Sequence, residues 1–262
     1  VEAAIVEGAV GLWPRQIASV SNGGQATDAR PPEPRYVGMP GMTGLAAALA
    51  QGLDIRLDSQ VGAIARAGDD WLITDDQGGT LGHFDLVIST APAPQTARLM
   101  PAVFSGHAAL QSVRMSGCFT LMIGCHQPPE LAFDAARLDH PVLSWAAVNS
   151  AKPGRAAPFS LVVHSRNDWA EQHLEDDRDS VKRAMLTALT NLTGHDFAGA
   201  DWIDLHRWRY ANVEQALGQP FLFDPENGLA ACGDWCLGNR VEAAFESAHS
   251  LGEVLADLIL PE

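Results

Sequence analysis

The apolar positions of this chain change period several times, and each change marks an element. Between Met42 and Leu49 they fall at helical spacing, through Leu45 and Ala46, and Gly52 follows as a helix stop. "LDIRLD" (residues 53–58) then alternates apolar with polar, which predicts a half-buried strand. "QVGAIARAG", "DWLITDD" and "HFDLVIST" predict three more strands, with Asp76-Gln77-Gly78-Gly79 as the turn between the last two. "TAPAPQTARLMP" interrupts the pattern and predicts an exit from that sheet region. "GCFTLMIGC" and "FSLVVHSR" are apolar runs of strand length, and "SAKPGR" between them predicts a turn.

Helical period returns in "DDRDSVKRAMLTALTNLTG", where Val181, Ala184, Met185, Ala188, Leu189 and Leu192 share one face. Its Asp-rich start suits the helix dipole, and Gly194 lies just past its end. "ADWIDLHRWRYAN" predicts a strand with Trp202, Asp204, His206, Trp208 and Tyr210 on one parity. The chain closes on Leu229-Ala230-Ala231-Cys232, small and apolar enough for a strand packed on both faces. Gly233-Asp234 turns, and a helix starts near Arg240 or Val241. Its stripe is Val241, Ala244, Phe245, Ala248, Leu251, Leu255, Leu258 and Ile259. Residues 21–35, "SNGGQATDARPPEPR", predict an exposed loop. The fold class expected from this mixture is α/β or α+β, with mixed rather than purely parallel sheets. Two regions follow: residues 36–100 with 226–262, and a central block 101–225 joined by 1–35.

Composition narrows the picture. The 262 residues, 47% hydrophobic, suffice for one large domain or two interleaved ones. No run approaches the ~18 apolar residues of a membrane span. The opening "VEAAIVEGAVGLW" carries Glu2 and Glu7 and no basic region, which argues against a signal peptide, and position 1 is not Met. A net charge of −15 makes nucleic acid a poor partner. Cys118, Cys125, Cys232 and Cys236 are spaced C-x6-C and C-x3-C, neither a zinc nor a redox pattern. Free buried thiols in a reducing compartment, hence a cytoplasmic protein, are expected. The histidines show no H-x-H or H-E-x-x-H grouping, so no metal site is expected.

Two stretches carry candidate chemistry. Gly38-Met39-Pro40-Gly41-Met42-Thr43-Gly44, with Asp58 further on, mimics a dinucleotide fingerprint. Its spacing is G-x-x-G-x-x-G, Pro40 lacks an N–H, and "RYV" is too short for a buried parallel strand, so a tight turn launching a helix is the better reading. The C-terminal unit is stronger. Free N–H groups at Val241, Glu242 and Ala243 would face electron-rich oxygens, and Ala243, Ala244 and Ala248 allow close approach. An ordinary closing helix, with Asp234 as a turn residue, is the competing reading.

"CGDWCLGNRVEAAFESA" resembles the C-terminal flavin motif of flavin-containing amine oxidases and, more closely, of bacterial renalase-like oxidoreductases. "RYVGMPGMTGLAAAL", "FDLVISTAPAPQTARLM" and "HRWRYA" resemble further family segments in the same order, so the likeness spans nearly all of residues 35–258. It implies a partial FAD-binding Rossmann-like domain (36–100 and 226–262) interleaved with a mixed-sheet substrate domain (101–225, with 1–35). On this resemblance Asp234 would bond a ribityl or ribose hydroxyl. The backbone of Val241, Glu242 and Ala243 would meet the N1/O2 edge of the flavin ring. The backbone of Val61 would face the adenine part, and Thr90, Ala91 and Pro92 would pass close by. Arg207, Trp208 and Tyr210 are the substrate-side candidates, since a planar substrate needs an aromatic wall and a cation.

The implied reaction is hydride transfer from a reduced pyridine nucleotide, a dihydro-NAD(P) isomer, to FAD, with reoxidation by molecular oxygen to hydrogen peroxide. An amine oxidase or desaturase acting on another donor is the alternative, as is a flavin-free binding module. Two departures qualify the likeness. Ala243-Ala244 stands where the family usually has Gly-Ala. The family's opening strand–G-x-G-x-x-G–helix, its acidic ribose anchor and its second glycine-and-arginine loop are absent from these 262 residues. The expectations are a chain that starts partway into a full member, FAD not retained stoichiometrically by this chain, and self-association or a homodimer.

Overall fold

The structure is a computed structural model that describes residues 4–5, 7–21, 26–27, 33–155 and 158–259. The chain divides into two compact units, residues 1–55 with 117–209 and residues 56–116 with 210–262. Several mixed sheets with helices packed on them bear out the mixed α/β class.

The first unit contains β1 (Val10–Leu12), β2 (Ala18–Val20), β3 (Ala26–Thr27), β4 (Tyr36–Gly38) and α1 (Gly44–Leu49). β1 and β4 pair antiparallel. The glycine stretch after β4 is a tight turn launching a helix. A side chain at Gly38 would press on the Met42 carbonyl, and one at Gly44 would collide with that of Met39. These glycines permit backbone to pack on backbone.

The second unit opens with β5 (Val61–Ala67), β6 (Asp70–Asp75) and β7 (Thr80–Phe84), an antiparallel three-stranded sheet. Its β6–β7 turn is the expected one: Asp75 Oδ1 accepts the amides of Gln77 at 2.9 Å and Gly79 at 2.6 Å, and Gly78 takes φ 84°. β8 (Val87–Ser89), α2 (Ala93–Leu99) and α3 (His107–Leu110) follow. The expected single strand "HFDLVIST" is therefore two. β7 pairs with β6, whereas β8 pairs in parallel with a C-terminal strand, and residues 85–86 make the break. Residues 53–58 form no strand. Asp58 has φ 53°, and Leu53, Ile55 and Leu57 are 67%, 51% and 80% exposed, so alternation there has no sheet to serve.

β9 (Arg114–Cys125), β10 (Ala135–Leu138), β11 (Leu143–Val148), β12 (Phe159–Ser165) and β13 (Trp202–Gln215) join β2 and β3 in a seven-stranded sheet of order β13-β9-β12-β11-β10-β2-β3. Between β12 and β13 lie α4 (Asn167–His173) and α5 (Arg178–Thr193). Five of the six predicted inward positions of α5, from Val181 to Leu192, are buried, and Ala184 is half-buried. They pack against Leu121, Ile123, Leu161 and Val163 of the sheet. Each such side chain fully buried contributes about 1.5–3 kcal/mol. Asp177 caps the helix by accepting the Ser180 amide, and Gly194 ends it at φ 74°. β1, β2, α2, α3, α4, β10, β11 and the later strand at Phe221–Asp224 have no counterpart among the predicted elements. The predicted loop at 21–35 lies largely outside the described residues; within it, Ala26–Thr27 pairs with β2.

The chain ends on β14 (Phe221–Asp224), β15 (Leu229–Cys232) and α6 (Val241–Ile259). β15 lies between antiparallel β14 and parallel β8, with all four residues buried. The predicted α6 stripe is rotated: Ala243, Ser247 and Leu251 are buried, whereas Val241, Phe245, Ala248 and Leu258 are exposed. The four cysteines are buried free thiols. Among the described residues no helix is long and apolar enough to cross a membrane, and no three His, Cys, Asp or Glu group as a metal site.

Candidate functional site

The eight residues assigned to the flavin side, from Val61 to Ala243, all fall in the second unit. The parallel β8–β15 pair sends its two strand ends, residues 90–92 and 233–236, the same way. Trp235 ties them together. Its fully buried indole donates to the Ala91 carbonyl at 3.1 Å, and that carbonyl also accepts from Thr96 Oγ1 at 2.8 Å. Pro92 caps α2, and Thr96 in turn bonds Ser89 at 2.8 Å. Val61, half-buried at the start of β5, packs on the same apolar cluster as Trp235 and Cys236.

Gly233 takes φ 155°, and a side chain there would press on the Trp235 indole at 2.7 Å. Glycine alone lets the strand turn so tightly. Asp234 follows, half-buried; its Oδ1 accepts the Trp235 amide at 2.8 Å, and its carbonyl accepts from Leu237 and Gly238. Burial raises its carboxyl above the ordinary value, with bonds from the Trp235 amide and its own amide opposing. A carboxylate offers about four acceptor positions, so capacity for a ligand hydroxyl remains.

Beyond the turn, Asn239 Oδ1 accepts the Val213 amide and so pins the approach to α6. The first bond inside the helix runs from Ala244 N to Arg240 O at 3.3 Å, so the amides of Val241, Glu242 and Ala243 precede the ladder. Val241 is 69% exposed and Ala243 9%. Ser247 explains which face α6 buries. Its hydroxyl accepts the Gly233 amide at 2.9 Å and donates to the Pro220 carbonyl at 2.5 Å, which locks the helix to the turn. Burial pushes the Cys236 thiol up to about 11, so it stays protonated at neutral pH. Sequence reasoning passed over Trp235 and Ser247. Ser247 carried a signal, a hydroxyl four residues from both Ala243 and Leu251 on an apolar face.

The three substrate-side candidates are not brought together. Alternation along β13 puts Trp208 and Tyr210 on one face and Arg207 on the other. Arg207 donates to the Leu174 carbonyl and lies 3.5 Å from Glu175. Trp208 is 52% exposed beside His206, with ring centroids 4.2 Å apart. Tyr210 accepts from Arg98 at 3.2 Å.

Residues 21–251 match the family described as flavin containing amine oxidoreductase, and the chain belongs to that family. Among solved structures it is similar to a putative protoporphyrinogen oxidase from Exiguobacterium sp. 255-15, at 16% identity and a TM-score of 0.66 over 86% of this chain and 53% of that one. It is also similar to putrescine oxidase bound to putrescine, at 13% identity and a TM-score of 0.58 over 85% and 54%. The chain therefore spans about half the length of these neighbours, and at such identities the likeness establishes the fold. A flavin is the cofactor of this family, and the residues present fit one. The half-buried Asp234 has acceptor capacity to spare, the α6 start offers free donors, and Gly233 keeps the intervening turn clear of a side chain.

Proposed function

We propose that this chain belongs to an FAD-dependent oxidoreductase that oxidises a small planar hydride donor, of which a reduced pyridine nucleotide in a dihydro-NAD(P) isomer form is the favoured candidate. Carrying this reading is the family match over residues 21–251, which includes the Asp234 turn and the α6 start. All flavin-side candidates lie in residues 56–116 with 210–262, which supports assigning cofactor binding to that unit; of the substrate-side candidates, Arg207 and Trp208 lie in residues 1–55 with 117–209 and Tyr210 in the cofactor unit. When bound, FAD would supply the hydride-accepting chemistry, with molecular oxygen as the final acceptor giving hydrogen peroxide. Val241, Glu242 and Ala243 present backbone donors and the positive end of the α6 dipole, which favour negative charge on an oxygen placed there. Asp234 would accept from a sugar-chain hydroxyl of the cofactor. Trp235 and Ser247 hold both in position and exclude water behind them. Trp208 and Tyr210 are the candidates for an aromatic wall; Arg207, on the opposite strand face beside Glu175, does not share it. Oxidation of an amine is the second reading, favoured by the family description.

The test is a fluorescence-quenching titration with FAD, followed by anaerobic mixing with dihydronicotinamide isomers or a diamine. Saturable binding that Asp234→Ala weakens, and bleaching by the dihydronicotinamide, support the proposal. Bleaching by the diamine alone selects the amine reading. FAD binding indifferent to Asp234 overturns the flavin assignment.

A further inference from the structure

The first unit holds a cluster that the flavin reading does not use. Trp13, just after β1, is 7% exposed, and its indole N–H is the one buried side-chain donor or acceptor without a partner among the described residues. Such a donor normally finds an acceptor, because leaving it unbonded costs most of its desolvation. Lys152 lies over the Trp13 ring, its Nζ 5.3 Å from the centroid. The ammonium is half-buried, and its hydrogen-bond partner is Met42 Sδ at 3.7 Å, a weak acceptor. Arg155 stands beside it and donates to the carbonyls of Gly38, Pro40 and Pro153. Among the described residues neither cation pairs with a carboxylate. Burial, then the Arg155 charge, lowers the Lys152 ammonium; burial, then Lys152, lowers the His164 imidazole. His164 is thus neutral at pH 7 and close enough to feel the ammonium.

We infer that Trp13 and Lys152, with Arg155 beside them, form a binding site for an oxyanion, the carboxylate or phosphate of a small ligand. Lys152 Nζ stands 5.3 Å from the centre of the Trp13 ring, so the ammonium and the indole belong to one local cluster. Phosphate and carboxylate share this chemistry: both satisfy the indole N–H and neutralise a half-desolvated ammonium. The inference is independent of the flavin reading, because every group in it belongs to residues 1–55 with 117–209.

The experiment uses the whole chain labelled with 15N. The Trp13 indole resonance, assigned through Trp13→Phe, is followed during titration with inorganic phosphate and separately with benzoate, ionic strength being held constant with chloride. A saturable shift is expected. Lys152→Met weakens it about tenfold or more, the scale of losing one charge-assisted bond. Lys152→Arg retains most of the binding, and Lys182→Met, which removes a half-buried ammonium paired with Asp179 at 2.9 Å, leaves it unchanged. A response to phosphate alone assigns a phosphate-bearing ligand, and to benzoate alone a carboxylate. No shift with either anion overturns the inference, as does equal affinity in Lys152→Met and the parent chain.

Discussion

Replacing Ser247 with Ala should destabilise the second unit by about 2 kcal/mol without touching an apolar contact. Ser247 is fully buried, and its hydroxyl is the shared partner of the Gly233 amide and the Pro220 carbonyl. Deleting it strands a donor and an acceptor at once. An unsatisfied buried group costs about 1–3 kcal/mol, but Gly233 and Pro220 are half-buried and water relieves part of that, which places each near the low end. Alanine leaves a void only one oxygen in size, so the cavity contribution is small. Urea unfolding should show a lower midpoint with the slope unchanged, since the surface exposed on unfolding is the same. Amide exchange gives the local readout, because the Gly233 N–H loses its acceptor and should exchange faster. A loss under about 0.5 kcal/mol with Gly233 protection intact would refute the claim that this hydroxyl locks α6 to the turn.

Three further outcomes follow from the same geometry. The Asp234 carboxyl is raised by burial in the folded state, so its stabilising contribution is present below the ordinary carboxylate value and lost as pH rises through the raised one; without ligand, Asp234→Asn should be more stable than the parent at neutral pH, and thermal melts should show the gap closing in acid. Asp224 behaves oppositely: burial pushes it up, but the Ser105 amide and the Asn227 side chain outweigh burial and hold it low, so its stabilisation is present above the ordinary value and lost as pH falls through the depressed one. Asp224→Asn should therefore cost most at neutral pH, and melts showing a pH-independent cost would contradict this. With FAD bound, Asp234→Ala should weaken retention by about 1–3 kcal/mol, whereas Trp208→Ala should spare retention and slow anaerobic reduction; the reverse pattern would undo the division into a cofactor side and a substrate side.

What the sequence disclosed was local. α5 carries its Asp-rich start, its stripe and its stop within one contiguous stretch, and the stop at Gly194 is as expected. β15 is marked by four small apolar residues, and α6 starts at Val241, one of the two positions, Arg240 or Val241, that the pattern offers. Residues 53–58 show the limit of periodicity, because alternation states which face could be buried and not whether a partner strand exists. The bonds that assemble the candidate site join distant positions. Trp235 reaches Ala91 across 144 residues, and Trp71 donates to the Asn227 carbonyl at 2.7 Å across 156. No window of sequence contains both ends of such a bond. The α6 stripe was misplaced for a related reason. Hydrophobicity alone favoured Val241 and Phe245, whereas the hydroxyl of Ser247, with two partners outside the helix, sets which face turns inward.

The two lysines of the chain show how setting decides what a charge means. Lys182, on α5, is half-buried as Lys152 is, but it pairs with Asp179 three residues away, an arrangement worth a few tenths of a kcal/mol. Lys152 lies half-buried over Trp13 in a chain of net charge −15, where acidic partners are plentiful, and yet among the described residues it meets a thioether and a neighbouring arginine. Arg155 cannot relieve it, being engaged with backbone carbonyls and of the same sign. Partial desolvation of a cation without a counter-charge is unfavourable, and so is an indole N–H buried without an acceptor. One oxyanion removes both penalties together. That economy, two unfavourable groups answered by one ligand atom set, is what separates the Trp13–Lys152 cluster from the other cations of this molecule.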